Sequence, residues 1–484
     1  MKAVATILDK KGENAAQKVA LMLEVLGRQG ADAFCLATPN KTAVEASIEK
    51  LPAQEFKSST ALGHVFTKVL TGDTPKLTRS KKSAVLFDGR IYNPPMEDLK
   101  AFIDEKLQAG DASAIIEGAV KEFEGFFAFL AIGNDKLVVG RDSLGLYPVY
   151  YGENNEFFAV ASERKALWRI GVADVKSLPP GHLLTANRRG FETRLVKAPR
   201  GLVCPISEEE AVEKLQGLLL QSITERTAGL NKVAVAFSGG LDSSLIAFLA
   251  KKANIEVHLI HVSLENQRET LQAEEAASLL DIPFHKFLYR FEDVENVLPK
   301  VLWCIEDPDP LKTSIAIPIF WAAEKAAELG FKILLVGQGA DELFGGYRRY
   351  LNLCTRFGES AAEEAMVSDI AKMHEVNFER DFKVCSFHSI ELRLPFASLP
   401  LVEFALSLPL NMKINPIDDD LRKLVLRKTA EKIGLPRQIA YKPKKAVQYA
   451  TGVEKALKRL AKSQNLPLKR YLERIFKSTH ALQF

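Results

Sequence analysis

Two glycine-punctuated phrases carry the residue types that could do chemistry. The first is Ser238-Gly239-Gly240-Leu241-Asp242-Ser243-Ser244, and the second is Gly337-Gln338-Gly339-Ala340-Asp341-Glu342. In the first, glycines let the backbone approach a ligand with no Cβ in the way, and serine hydroxyls add hydrogen-bond donors. Asp242 adds a hard carboxylate suited to Mg²⁺. The combination reads as a phosphate cradle. It is not a Walker A loop, because no Gly-Lys-Ser/Thr follows, and it lacks the G-x-G-x-x-G of a dinucleotide site. The second phrase again sets acids just past glycines. If the two phrases lie together, Asp242 and Asp341 can share Mg²⁺ across a bound phosphate chain and neutralise its charge.

Such loops need strands and helices to hold them. Residues 233–237 are five apolar residues in a row, the pattern of a strand buried on both faces. Leu245, Ile246 and Leu249 then recur at helical spacing. The first loop therefore sits between a strand end and a helix N-terminus, where free N–H groups favour an anion. Residues 332–336 lead the second loop in the same way. With 257–264 and 284–289, these strands alternate with helices, including one expected over 318–329. The alternation predicts a doubly wound parallel sheet that binds ligands at the carboxyl ends of its strands.

Upstream, the text differs. Residues 4–8, 84–87, 126–132, 136–140 and 157–161 read as strands, and 15–28 and 112–123 as helices, which predicts an α+β domain with antiparallel sheets. Around 198–205 the chain turns to Pro, Gly and polar residues, and Ser207 is placed to cap a helix. The expected domains are therefore 1–200 and 201–484.

Composition limits the function. With 484 residues, 47% of them hydrophobic and 26% charged, the chain is an ordinary globular protein too long for one core. A net charge of +4 does not announce a nucleic-acid binder. Eleven Lys/Arg against Glu454 and Glu473 over 442–477 fit a solvated helix face better than an RNA-contacting patch. The five cysteines, Cys35, Cys204, Cys304, Cys354 and Cys385, form no metal or disulfide pattern, as in a reducing compartment. No apolar run is long enough to span a membrane, and the first residues lack a secretory core. The expected location is the cytoplasm, with no membrane or nucleic-acid partner.

Taken together, the motifs resemble a known family. The first loop is similar to the PP-loop of ATP pyrophosphatases. The second, continued by Leu343-Phe344-Gly345-Gly346-Tyr347, resembles the G-E-G-A-D-E-L-F-G-G-Y phrase of glutamine-hydrolysing asparagine synthetases. Further likenesses to that family are Asp88-Gly89-Arg90-Ile91-Tyr92-Asn93, Gly140-Arg141-Asp142 through Tyr151, Ser162-Glu163-Arg164-Lys165-Ala166-Leu167, Leu178-Pro179-Pro180-Gly181, Glu391-Leu392-Arg393 and Lys442-Pro443-Lys444. The resemblance implies an N-terminal-nucleophile (Ntn) α/β/β/α sandwich followed by a PP-loop pyrophosphatase domain. It implies ATP and Mg²⁺ as cofactors, and an amide-forming ligase that adenylates a carboxylate, releasing pyrophosphate and then AMP. On that reading Ser238, Gly239, Gly240, Leu241, Asp242, Ser243, Ser244, Gly337, Gln338 and Gly339 bind nucleotide, and Val262 meets the adenine through its backbone. Asp242 and Asp341 hold Mg²⁺, and Lys444 faces the reaction centre. Glu391 with Arg393 reads equally as an ion pair pinning a helix end or as a substrate contact.

The departures are as informative. The family begins Met-Cys-Gly, whereas this chain begins Met1-Lys2-Ala3, so no cysteine α-amine pair is present to attack glutamine. The family's oxyanion Asn is Asp88, and the Glu after the glycine is Arg90. The expected domain is a degenerate glutaminase, with free ammonia or another amine as nitrogen donor and a separate ammonia-supplying glutaminase left open. On the acceptor side, the general-base Glu is Gln338. The Arg that grips aspartate's carboxylate is Ser314, with Ala316 and Ile317 beside it and Lys312 one turn away as a substitute cation. Aspartate remains the first acceptor to consider. The alternatives are an intramolecular amide-forming cyclase resembling β-lactam synthetase, a PP-loop RNA-modifying enzyme, and a nucleotide-binding regulator without turnover.

Overall fold

The computed structural model describes residues 3–27, 30–80, 82–95, 99, 101–103, 112–202, 205–415, 421–443 and 450–481. The chain divides into two compact units, Met1–Ala198 with Ser386–Ser389, and Pro199–Cys385 with Ile390–Phe484.

The first unit holds two antiparallel sheets. The larger has seven strands in the order Lys176–Ser177, Tyr150–Glu153, Phe157–Ala161, Ala3–Asp9, Thr60–Phe66, Ala33–Ala37 and Thr42–Glu45. The other has six, from Gly190–Leu195 through His182–Asn187, Lys136–Arg141, Glu124–Gly133 and Ser83–Asn93 to Lys76–Arg79. Every residue of Ala3–Asp9 and Thr60–Phe66 is buried, because one side meets the other sheet and the other side meets a helix. The helix Ala15–Leu26 lays Val19, Met22, Leu23 and Leu26 on the seven-stranded sheet. The helix over Ala112–Glu122 lays Ile115, Ile116, Ala119 and Val120 on the six-stranded one. Such stripes recur every three or four residues, the spacing that puts them on one helix face. The result is the helix, sheet, sheet, helix sandwich expected.

The second unit is built on one five-stranded parallel sheet in the order Phe284–Tyr289, Glu256–Leu264, Lys232–Ala236, Ile333–Leu335 and Glu391–Arg393. From Lys232–Ala236 the chain adds strands toward one edge, then returns to add Ile333–Leu335 on the opposite side. The order therefore reverses between these two adjacent strands, which pair through Ala234↔Leu334 and Val235↔Leu335. An open parallel sheet leaves its ligand crevice at such a reversal. Both glycine phrases begin there.

Local signals explain the flanking helices. Ser207 Oγ accepts from the Glu210 amide at 3.3 Å, and the Glu210 carboxylate accepts from the Ser207 amide at 2.9 Å. This capping box opens Glu208–Thr227 and is worth about 1 kcal/mol. Two expectations are corrected. The helix expected over 318–329 runs Pro310–Glu328, because Asp309 caps it by accepting from the Lys312 amide at 2.8 Å and Pro310 fits its first turn. Glu391 and Arg393 belong to an edge strand, not a helix end. Arg393 is buried, donating to Glu391 at 2.6 Å and to the Arg226 carbonyl at 2.6 Å. Its partners are structural.

The basic C-terminal stretch contains the helix Val453–Ser463, which buries Val453, Ala456, Leu457, Leu460 and Ala461 and turns its cations outward. No helix among the described residues is long and apolar enough to cross a membrane.

Candidate active site

The strand Lys232–Ala236 ends where the Phe237 amide donates to the Ile260 carbonyl at 2.8 Å, and the chain then turns into the helix Leu241–Lys252. The turn requires glycine at 239. Its φ is +66°, and a Cβ there would lie 2.6 Å from the Ala273 Cα. Ser243 Oγ organises the loop from the helix side, lying 3.3 Å from the Ser238 amide and 3.2 Å from the Ser238 hydroxyl. Lys442 Nζ donates to the Gly239 carbonyl at 3.2 Å, and burial lowers its pKa from the ordinary lysine value.

The second strand, Ile333–Leu335, leads through Gly337, Gln338 and Gly339 into a short helix, Ala340–Phe344, with Asp341 at its first turn. The two acids expected to share a cation are brought together. Lys423 Nζ lies 2.7 Å from both oxygens of Asp242 and 2.6 Å from Asp341 Oδ1. The lysine side chain is only 2% exposed, against 15% and 17% for the carboxylates. Gly346 is needed here too, since a Cβ would meet Asp341 Oδ1 at 1.9 Å. Two carboxylates gathered round one positive charge form a donor set that also suits a divalent cation.

Beside this pair lies a cavity of about 590 Å³. Ser238, Asp242, Ser243, Val262, Gln338 and Asp341 line it, as does Gly337. Leu241 and Ser244 are buried and do not, so their side chains face the protein; Gly239, Gly240 and Gly339 are likewise off the wall. Lys444 lies outside the described residues. Gln338 is hydrogen-bonded to the buried Asp381, whose pKa is raised by burial, with Arg380 2.7 Å away working against the rise. Glu342 is buried and accepts from Tyr347 Oη at 2.6 Å and Asn377 Nδ2 at 2.7 Å. Burial, then the neighbouring Asp341 charge, raise its pKa.

On the acceptor flank, Ser314 is buried and its hydroxyl donates to the Leu311 carbonyl at 2.8 Å, inside its own helix. Lys312, expected as a substitute cation, does not line the cavity. Its Nζ is 2.8 Å from Asp307, which holds it outside the cavity wall.

In the first unit, Asp88 is buried with one oxygen 2.6 Å from Tyr147 Oη and the other 3.2 Å from His64 Nε2. Burial disfavours the charged carboxylate, but His64 and Tyr147 outweigh that and lower its pKa. Both oxygens thus face internal partners, and the carboxylate is buried. Arg90 makes a two-pronged pair with Asp73. Burial opposes the Asp73 charge, yet Arg90 holds the carboxyl down at about 2. Cys35, buried and near Asp88, is pushed up to about 12 by burial, the opposite of an activated thiol.

Several site residues escaped the sequence reading. Lys423 is 181 positions from Asp242 and lies in a stretch with no glycine punctuation to single it out. Asn377 and Arg349 also gave no spacing signal, whereas Tyr347 and Lys442 lay inside quoted motifs without an assigned part.

A family model described as asparagine synthase matches residues 214–481, and one described as a glutamine amidotransferase domain matches 64–169. Among curated proteins, the chain is 30% identical to "Putative asparagine synthetase (glutamine-hydrolyzing) 1" of Methanocaldococcus jannaschii, over 98% of each chain. It is 28% identical to an asparagine synthetase (glutamine-hydrolyzing) of Triphysaria versicolor, over 79% of this chain and 68% of that one. Among solved structures, the glutamine phosphoribosylpyrophosphate amidotransferase of B. subtilis aligns with 61% of this chain and 92% of its own, at 16% identity and a TM-score of 0.37. On the asparagine synthase model match over residues 214–481 and the 30% identity over 98% of the chain, the chain belongs to the asparagine synthetase family of ATP-dependent carbon–nitrogen ligases.

Proposed function

We propose that the enzyme is a cytoplasmic ligase that adenylates a small carboxylic acid, with aspartate the first candidate, and completes the amide with free ammonia instead of its own glutaminase. The observation that carries this reading is the convergence of Asp242 and Asp341 on one buried ammonium at the sheet reversal, beside the serine-glycine loop. Ser238, Gly239, Gly240 and Ser243, with the backbone of Leu241 and Ser244, hold the triphosphate at the helix N-terminus. Gly337 and Gln338 form the opposite wall, with Gly339 turning the chain behind them, and Val262 faces the base. Asp242 and Asp341 would hold Mg²⁺, which when bound supplies charge neutralisation on the leaving pyrophosphate.

In the first step the acid's carboxylate oxygen attacks the α-phosphorus and the bond to the β-phosphate oxygen breaks. The products are the acyl-adenylate and pyrophosphate. In the second, ammonia attacks the acyl carbon and AMP leaves. Lys444 is placed by sequence to hold the charge on the α-phosphate. Residues 1–200 act as a glutaminase-like scaffold without turnover. The buried Asp88–His64–Tyr147 cluster supports that reading.

The test is pyrophosphate release from Mg·ATP over a panel of amino and dicarboxylic acids, with ammonium, glutamine or tRNA added in turn. We expect an acid to be required, ammonium to support amide formation, and glutamine at equal concentration to support at most a tenth of that rate. Efficient use of glutamine would overturn the scaffold reading, and release that needs tRNA would point to RNA modification.

A further inference from the structure

We propose that Arg349, held by Asp369 and flanked by Tyr347 and Tyr350, binds a second carboxylate of the acid that this site adenylates. The proposal rests on the adenylation reading above. It starts from the charges around the cavity. The acids on its wall are Asp242, Glu269, Asp341, Glu342 and Asp369. An anionic substrate group needs a cation, and Lys423 is already shared between Asp242 and Asp341. His261, also on the wall, is kept neutral by burial, which lowers its pKa. The lysine and arginine side chains among the described lining residues are Lys372 and Arg349.

The Arg349 side chain is 57% exposed, within reach of a substrate group, and neighbours orient it on one side. Its guanidinium pairs with Asp369, which also accepts from Tyr350 Oη. It lies 5.2 Å from the Tyr347 ring centre and 5.4 Å from that of Tyr350. These contacts fix the planar fork while leaving other N–H groups for a carboxylate, the geometry in which arginine outperforms lysine. Tyr347 in turn hydrogen-bonds Glu342, which follows Asp341 directly, so the fork is tied to the tip of the second strand.

The helix that carries Asp369 is also organised. Asp369, Lys372, Met373 and Val376 all line the cavity, a three-and-four spacing that puts one helical stripe against it. The helix Glu359–Met373 passes there into a π-helical turn, His374–Phe378, which brings Asn377 to Glu342. Such turns break the regular register and often mark functional positions. Lys372 reinforces Arg349 electrostatically, and Asp369 is a ready partner for a substrate ammonium beside the carboxylate. The flank at Ser314 supplies no charge, its hydroxyl being turned back to Leu311.

Two matched pairs of acids test this on the full chain: aspartate against 3-aminopropanoate, and glutamate against 4-aminobutanoate. Each pair differs by the second carboxylate. Binding is titrated in the presence of Mg²⁺ and a non-hydrolysable ATP analogue, and turnover is followed by pyrophosphate release. We expect at least one dicarboxylic acid to bind tenfold or more tightly than its partner. Arg349→Ala should weaken that acid by about 10–100-fold, the scale of lost charge-assisted hydrogen bonds, with nucleotide affinity within twofold of the original. Arg349→Lys should recover part of the loss. Unchanged acid affinity in Arg349→Ala, an equal loss for nucleotide, or no preference for dicarboxylic acids would overturn the assignment. Binding with the expected preference but no pyrophosphate would overturn only the adenylation reading.

Discussion

Lys423→Ala should lower turnover by about 10²–10³-fold, the scale on which a preorganised charge at a reacting centre acts. It should also destabilise the nucleotide-free protein. The lysine is 2% exposed and sits within 2.7 Å of carboxylates from the first turns of two different helices. Deleting one partner of a buried ionic cluster costs about 3–5 kcal/mol. Here two carboxylates would be left facing one another. The variant therefore has a distinctive signature: millimolar Mg²⁺ should raise its melting temperature more than it raises that of the parent, because the divalent ion takes the place of the ammonium. Equal melting temperatures for variant and parent without Mg²⁺ would show that the lysine does not hold the two tips together.

The second large effect is stabilising. Lys413 follows the short 3₁₀ turn Leu410–Met412, is 6% exposed, and lies beside Ile414 and Gly345 in an apolar neighbourhood. Burial lowers its pKa to about 8 despite the Glu363 charge, which acts in the opposite direction. A group that loses its proton more easily when folded costs stability while it is charged. Below pH 8 both states are protonated and the whole cost is present. Between about 8 and the unfolded value of 10.5 the unfolded chain binds more protons, so stability rises with pH. Above 10.5 both states are neutral and the cost is gone. Lys413→Met keeps the volume and removes the charge. It should stabilise the fold by about 3 kcal/mol at pH 7 and by far less near pH 10.5. Urea unfolding of both proteins at the two pH values measures this. A gain independent of pH, or a loss at pH 7, would mean the ammonium has a partner that the fold needs.

How far the sequence could be read follows from which interactions are local. The strand-loop-helix at 232–252 was legible because apolar run, glycines and helical spacing are consecutive in the chain. The Ser207 cap was legible for the same reason. The sheet reversal could be inferred only as a class of fold, since pairing of Lys232–Ala236 with Ile333–Leu335 joins residues about a hundred positions apart. Lys423 was invisible because its meaning lies wholly in long-range geometry: a lysine among Arg422, Arg427 and Lys428 looks like solvated charge until the fold buries it. Pro318 reads as a helix start in the sequence, whereas Asp309 caps the helix two turns earlier. Lys312 seemed available for a substrate because nothing in the spacing revealed that Asp307 would claim it. The departures at Lys2, Asp88 and Arg90 needed no structure to be noticed. What the fold adds is that Asp88 and Arg90 each have committed partners.

The most direct test of the central claim is to identify the products of one turnover. Phosphorus NMR of the reaction with Mg·ATP, ammonium and the preferred acid should show AMP and pyrophosphate accumulating one to one, with an amide product in equal amount. ADP with orthophosphate would mean that the bond cut is not the one between the α and β phosphorus atoms, and would contradict the account.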